Sequence, residues 1–327
     1  MMDISIGIKA LNEEANIAAC LESALAAIGP FEGEVILADS GSTDRTIAIA
    51  RQYPVRIIQL SRPEDRGCGA GAQLAYQFAR GRYFYLLDGD MMLDPDFVTR
   101  GIAYLEAHPD VAGVGGWVTE KNTAGPEFQV RADKAAEKVE AFEGFVDHLH
   151  CGGLYRTDAI RAVGHFADRN LHAFEEFELG ARLVAGGWKL ARLDCAGVDH
   201  YGHTVDGYRL LWRRLRSGYS GGLGEVVRAA WLKPHFSGVL GRLRPLQMTM
   251  VVLCWWLALV ACLVMGAFVT LLALLVLPLG YLTWRRKSFR LGLYSFTVCN
   301  MLTLGLLSGL VRGRVSPGEP LAARELA

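Results

Sequence analysis

The chain begins with alternating apolar and polar positions. Ile4-Ser5-Ile6-Gly7-Ile8 reads as a strand, and Ile17, Leu21 and Leu25 then recur at helical spacing within Glu13–Ala27. Glu34–Ala38 is a nearly continuous apolar run, the pattern of a strand buried on both faces. A polar turn, Asp39-Ser40-Gly41-Ser42-Thr43-Asp44, supplies an N-cap for a helix over Thr46–Gln52. Val55–Gln59 predicts a third strand, Gly71–Arg80 a helix, and Tyr83–Leu87 a fourth strand that ends in Asp88-Gly89-Asp90. Repeated β-α units of this size imply an α/β fold, a mostly parallel Rossmann-like sheet with helices on both faces.

The back half has a different pattern. From Pro245 to Trp284 no residue is charged, and a second uncharged run covers Leu291–Val311. A spanning helix needs roughly twenty residues, so the first run is long enough for two passes, with Met265-Gly266-Ala267 as the turn and Pro278 tolerated in the second helix. Arg242 and Arg244 precede it, and Arg285, Arg286, Lys287 and Arg290 follow it. Both clusters lie on the cytoplasmic side if the run is a hairpin. The third run then either spans, leaving Arg312 and Arg314 outside against the positive-inside rule, or lies in the membrane plane. Residues 207–244 mix Arg and Lys with Trp, Tyr and Leu, which suits amphipathic helices at a bilayer interface better than a nucleic-acid surface. The resulting division is 1–205 as the α/β domain, 206–244 as an interfacial segment, 245–311 as a membrane domain of two or three helices, and 312–327 as a tail.

Charge sharpens that division. Residues 1–205 hold 19 Lys and Arg against 30 Asp and Glu, a net of −11, whereas 206–327 hold 15 against 4, a net of +11. An acidic domain followed by a basic, apolar half is expected to sit against an anionic membrane surface. The division also predicts that a chain ending near Ser237 folds as a soluble, nucleotide-binding domain. The seven cysteines show no C-x-x-C pair and no zinc spacing. The N-terminus passes directly into a strand pattern, so the α/β domain is expected in a reducing cytoplasm, held at a bacterial inner membrane.

Ligands of such sheets bind beyond the carboxyl ends of the strands, where Lys9–Glu13, Asp39–Asp44 and Asp88–Asp90 fall here. Converging carboxylates repel one another, and a bound hard cation resolves the repulsion: Asp88 and Asp90, two apart, can both turn toward one. Ala173–Leu183 is a helix with Leu179 and Leu183 as its core stripe and either Glu175 or Glu176 projecting into a cleft. Asp199-His200-Tyr201-Gly202-His203 offers imidazoles as metal ligands or phosphate donors, with His203 the more ordinary surface residue.

Taken in order, these motifs resemble the family-2, inverting glycosyltransferases of the GT-A fold, over roughly residues 3–220. KALNEE resembles the P-x-Y-N-E of the first strand end, with Lys9 in place of Pro and Leu11 in place of Tyr. VILADSGSTDRT resembles the nucleotide-binding turn, RGCGAGAQLA the glycine-rich stretch, LLDGDMMLDP the metal motif, HCGGLYRTDAI the acceptor-side loop, and FEEFELGARL the E-D-x-D/E-L motif of the base. The resemblance implies that Glu176 is the catalytic base and that Asp88, Asp90 and His200 hold Mg²⁺ or Mn²⁺. It further implies that Lys9, Leu11, Glu13, Asp39, Arg66, Asp88, Gly89, Gly152, Gly153 and Glu175 line the nucleotide-sugar site, with Arg213 and Arg216 closing over the diphosphate. The expected reaction moves one sugar from a UDP- or GDP-type donor to a polyprenyl-phosphate or -diphosphate acceptor in polysaccharide or glycolipid assembly. A Q-x-x-R-W string, the mark of processive synthesis, is absent. A sugar nucleotidyltransferase or a non-catalytic membrane scaffold is the alternative; nucleic acid is not an expected partner.

Overall fold

A computed structural model describes residues 2–121, 144–150, 152–202 and 207–326. The chain divides into two compact units, Met1–Thr204 with Arg314–Ala327, and Val205–Gly313. His203 and Cys151 lie outside the described residues.

The first unit is built on one sheet. Strands β1 (Ile4–Ala10), β2 (Gly33–Asp39), β3 (Arg56–Leu60) and β4 (Tyr83–Asp88) form its parallel half, in the order β3-β2-β1-β4. Helices α1 (Ile17–Ile28), α2 (Thr46–Ala50) and α3 (Cys68–Gln77) connect them. Ile4, Ile6 and Ile8 pack on one face with α1, while Ile36, Ala38, Phe84 and Leu86 pack on the other with α3. This two-sided burial explains the continuous apolar runs of β2 and β4. Helix α1 starts at Ile17 rather than Glu13, because Asn12 takes a left-handed φ of 59° and Glu13 donates its backbone N–H to Thr46 Oγ1.

Beyond β4 the expectation of a mostly parallel sheet needs correction. Strands β5 (Met91–Leu93), β6 (Val111–Glu120), β7 (Gly144–Val146), β8 (Gly153–Arg156) and β9 (Lys189–His200) complete the other half, around helices α4 (Phe97–Ala107), α5 (Thr157–Ala162) and α6 (Glu175–Ala185). Here β8 runs antiparallel to both β4 and β6, β9 antiparallel to β5 and β7, and β6 parallel to β9. The sheet is mixed. The expected tail is not one either: Ala323–Glu325 forms β10 of the same sheet, antiparallel to β3, and Leu321 is buried in its core.

The second unit contains α7 (Gly207–Arg216), α8 (Gly222–Ala230), α9 (Phe236–Arg242), α10 (Arg244–Val264), α11 (Phe268–Arg286) and α12 (Phe289–Val311). The turn falls at residues 265–267 and Pro278 sits inside α11, as the sequence implied. Among the described residues, α10, α11 and α12 are long and apolar enough to cross a membrane, by length and composition.

Candidate active site

The carboxyl ends of β1, β2 and β4 lie side by side, because Lys9 is in register with both Ala38 and Asp88, and Ala10 with Asp39. Lys9 Nζ is the hub of the resulting cluster. It lies 3.2 Å from Asp88 Oδ1, 2.6 Å from Glu175 Oε1 and 3.9 Å from Glu176 Oε1. One ammonium thus joins the end of the central strand, the first Asp of the D-x-D and the start of α6. Burial works against its charge, but Asp88, Glu175 and Glu176 outweigh burial and hold the ammonium well above the ordinary lysine value. Burial, relieved by Lys9 and reinforced by Asp90, pushes the Asp88 carboxyl up.

Helix α6 enters this cluster through a strained residue. Phe174, at its N-cap, has φ 66° and ψ 23°, a left-handed conformation uncommon for an aromatic side chain. That conformation turns the chain so that both glutamates of the first helical turn face Lys9. The helix is fixed from behind by buried Arg182, which bonds Glu178 and the carbonyls of Val163, His165 and Phe166. Glu175 is almost wholly buried, with 4% of its side chain exposed, whereas Glu176 keeps 20%. Burial and then the neighbouring Glu175 push Glu176 up to about 8.

A second group surrounds Asp90. His200 Nε2 is 3.4 Å from Asp90 Oδ2, and its Nδ1 donates to Glu120 Oε2 at 2.7 Å. Burial disfavours the imidazolium, but Asp90 and Glu120 together raise His200 to about 10. Among the described residues no group of three His, Cys, Asp or Glu forms a ready metal cage. The donor set still fits a hard divalent cation. Mg²⁺-type sites use one or two carboxylates completed by phosphate oxygens, and an imidazole whose other nitrogen is held by a carboxylate is the usual form of a histidine ligand. Asp90 and His200 match that description, whereas Asp88 is engaged by Lys9.

The third group is the turn after β2. Asp39 is fully buried, and its Oδ2 accepts from Gly41 N, Ser42 N and Gln59 Nε2. Its Oδ1 is buried with no hydrogen-bond partner among the described residues. Arg66 arches over the turn, donating to the carbonyls of Ser40 and Gly41. Asn12 ties the turn to β1 by accepting from Thr43 N.

Other residues singled out from sequence fall around these groups. Gly89 faces Glu13, where a Cβ would lie 2.9 Å from Glu13 Cγ. Gly152, at φ 82°, lies against the Tyr85 hydroxyl, and Gly153 is in register with Leu86 of β4. The Leu11 side chain is exposed. Arg213 and Arg216 belong to the second unit, exposed on α7. Sequence reasoning missed Glu120 and Gln59, whose partners lie 80 and 20 residues away. It also assigned Lys9 only as a donor contact and not as an ionic hub.

With the geometry in hand, comparison identifies the domain. Residues 5–164 match the family model Glycosyl transferase family 2, and this part of the chain is a domain of that family. Dodecaprenyl-phosphate galacturonate synthase of Rhizobium johnstonii is 34% identical over 113 residues, 32% of this chain and 33% of that protein. The chain therefore aligns with about a third of the length of that relative. Succinoglycan biosynthesis protein ExoA of Rhizobium meliloti is 26% identical over 211 residues, 60% of this chain and 62% of that protein. Among solved structures, mannosyltransferase PcManGT from Pyrobaculum calidifontis, in complex with GDP-Man and Mn²⁺, superposes with a TM-score of 0.62 at 18% identity. It covers 95% of this chain and 89% of its own, and the shared fold is GT-A-like.

Proposed function

We propose that this family-2 domain is a membrane-anchored, metal-dependent, inverting glycosyltransferase, which moves one sugar from a UDP- or GDP-type nucleotide-sugar to a polyprenyl-phosphate or -diphosphate acceptor. One observation carries the reading: a single ammonium, that of Lys9, lies within 4.0 Å of both the first Asp of the D-x-D and the α6 glutamates. A donor diphosphate at the strand ends and a base at the helix start are then close enough to act on one anomeric carbon.

The roles follow from charge and position. Asp39 Oδ1, buried and without a partner among the described residues, is suited to accept an N–H from a nucleotide base, since a buried acceptor left unpaired costs free energy. Asp90 and His200 would hold Mg²⁺ or Mn²⁺, which when bound neutralises charge on the departing diphosphate. Glu176 takes the proton of the acceptor hydroxyl as it attacks the face opposite the diphosphate, inverting the anomeric configuration. Lys9 binds Glu175 and keeps Glu176 beside the reacting centre. A relative named for dodecaprenyl phosphate supports a lipid-linked acceptor, and one named for succinoglycan biosynthesis supports a place in polysaccharide assembly. The three long apolar helices support an anchor at the membrane, with the catalytic domain on the cytoplasmic side where nucleotide-sugars are made.

A screen of UDP-, GDP- and dTDP-sugar hydrolysis by detergent-purified protein tests this directly. Hydrolysis of one donor class with Mn²⁺ or Mg²⁺, brought to background by EDTA, is the expected result. Hydrolysis undiminished in EDTA would sink the metal assignment, and formation of a nucleotide-sugar from a sugar phosphate would replace transfer with nucleotidyl chemistry. Glu120→Gln is expected to raise the Mn²⁺ concentration needed for half-maximal activity by about 10–100-fold, the usual consequence of losing the carboxylate behind a histidine ligand. An unchanged metal requirement would show that Glu120 plays no part in it.

Lys9 makes a separate prediction about pH. A general base works deprotonated, so turnover falls as pH drops through the value of Glu176, raised here to about 8. The Lys9 ammonium favours the ionised carboxylate. Lys9→Met is therefore expected to move the acid limb of the turnover profile to higher pH, and Lys9→Arg to return it toward wild type. A limb that stays in place in Lys9→Met would separate Lys9 from the base.

A further inference from the structure

We infer that α12 (Phe289–Val311) lies along the membrane surface, embedded by one apolar face in an anionic leaflet, and that the chain crosses the bilayer twice, as the α10–α11 hairpin. This rests on the reading above that the second unit anchors the chain to a membrane.

Connectivity gives the first argument. The second unit is an insert: the chain leaves the first unit at Thr204 and rejoins it at Arg314. The return is a folded one, since Arg314 pairs with buried Asp168 at 2.5 Å and Ala323–Glu325 adds a strand to β3. A folded domain occupies one side of a membrane, so the insert must cross an even number of times. Three apolar helices cannot all span.

Packing within the insert shows which one does not. Helix α12 has the lowest hydropathy of the three, 1.4 against 2.1 and 1.6, and the most of its apolar window buried in protein, 28% against 6% and 0%. Its middle rests on the hairpin, where Asn300 Oδ1 accepts from Trp256 Nε1 and the Phe296 ring meets Trp255, and the rest of its cover is the basic segment that precedes the hairpin. Near one end the Tyr294 ring meets Tyr208 of α7 at 5.5 Å. Toward the other, Gly305 and Gly309 press on the backbone of Ser220 and Gly221, Gly224 presses on Leu306, and Arg312 pairs with Glu225. The covering segment 207–230 carries Arg209, Arg213, Arg214, Arg216, Glu225 and Arg228. Were α12 to span, these charges would be carried to hydrocarbon depth with it, against their strong preference for water.

The uncovered side fits a membrane surface. Phe289, Leu293, Leu304, Leu307 and Val311 are all exposed. At 3.6 residues per turn they fall within an arc of about 60°, open at both ends of the helix, while half-buried Asn300 in the same arc is covered by Trp256 of α10. Arg285, Lys287 and Arg290 flank the stripe at its start, and Arg312 and Arg314 at its end, matching the charge of an anionic leaflet. With α12 in the plane, all the basic clusters also fall on one side of the bilayer, in keeping with the positive-inside rule.

Short epitope tags at the N-terminus, in the turn at Gly266 and after Ala327 of the full-length chain test the arrangement. A Cβ at Gly266 would meet nothing within 4 Å, so the turn has room for an insertion. The tagged proteins are expressed in a bacterial inner membrane, and protease is applied to spheroplasts and to inverted vesicles. The two terminal tags are expected to be cleaved from the same side, and the Gly266 tag from the opposite side. Terminal tags on opposite sides would mean that α12 crosses, and all three on one side that the hairpin does not; either overturns the proposal. Release of the protein by alkaline carbonate would instead remove the membrane reading on which the proposal rests. None of these readouts depends on activity, so they stand apart from the glycosyltransferase assignment.

Discussion

Glu176→Gln is expected to lower turnover by about 10²–10⁴-fold, the usual worth of a general base, while nucleotide affinity changes little. The substitution keeps the shape of the side chain and removes only its capacity to take a proton. The two glutamates of the first turn of α6 are distinguished by surroundings. Glu175 is 3% exposed and spends its carboxylate on Lys9 at 2.6 Å, whereas Glu176 lies 3.9 Å from the same nitrogen and keeps a fifth of its side chain open. A base must reach the acceptor hydroxyl, and the more open carboxylate can. Glu175→Gln should therefore reduce turnover less and stability more, because it weakens a buried ion pair on the Lys9 side. Steady-state rates, nucleotide affinity and thermal midpoints of both variants decide the matter. If Glu175→Gln loses turnover and Glu176→Gln keeps it, the base is Glu175; if neither loses it, the start of α6 is structural.

What could be read from sequence follows the range of the interactions. The parallel strands β1 to β4 announce themselves through local apolar periodicity, and the D-x-D is legible because it follows one of them. The hairpin turn at residues 265–267 is legible for the same local reason, a break between two long uncharged runs. The antiparallel half is not. Strands β5, β7 and β8 have three or four residues each, too few for a period of two to register. The ionic hub was hidden because Lys9 and Glu175 are 166 residues apart, and the metal-side pair because Glu120 and His200 are 80 apart. Chemistry-bearing residue types were visible one by one; their pairing is a product of the sheet order.

The C-terminal segment is the case where sequence misled most, and it carries the largest expected effect on stability. A chain ending near Ser237, which the charge division suggests as a soluble domain, is expected not to fold stably. Such a chain lacks residues 314–326, which are part of the first unit. Asp168 is 1% exposed and its Oδ2 pairs with Arg314, so truncation leaves a buried carboxylate without that cation. Breaking one buried pair in this way typically costs about 3–5 kcal/mol, against a total stability on the order of 5–15 kcal/mol for a domain. The losses continue along the segment: buried Leu321 leaves the core, Arg169 loses the carbonyls of Glu319 and Pro320, and β3 loses its outer neighbour and becomes an open edge. That edge lies beside β2, whose Asp39 turn is the proposed nucleotide site, and the segment reaches the same turn through Arg324, which donates to Gln59, the residue that holds Asp39 Oδ2. Circular dichroism melts and size-exclusion chromatography of residues 1–237 should thus show aggregation or a non-cooperative transition. Joining residues 1–204 to 314–327 through a flexible linker in place of the insert should restore a cooperative melt and nucleotide binding. A truncated chain that melts as sharply as the joined one would show that the returning segment contributes nothing to the domain.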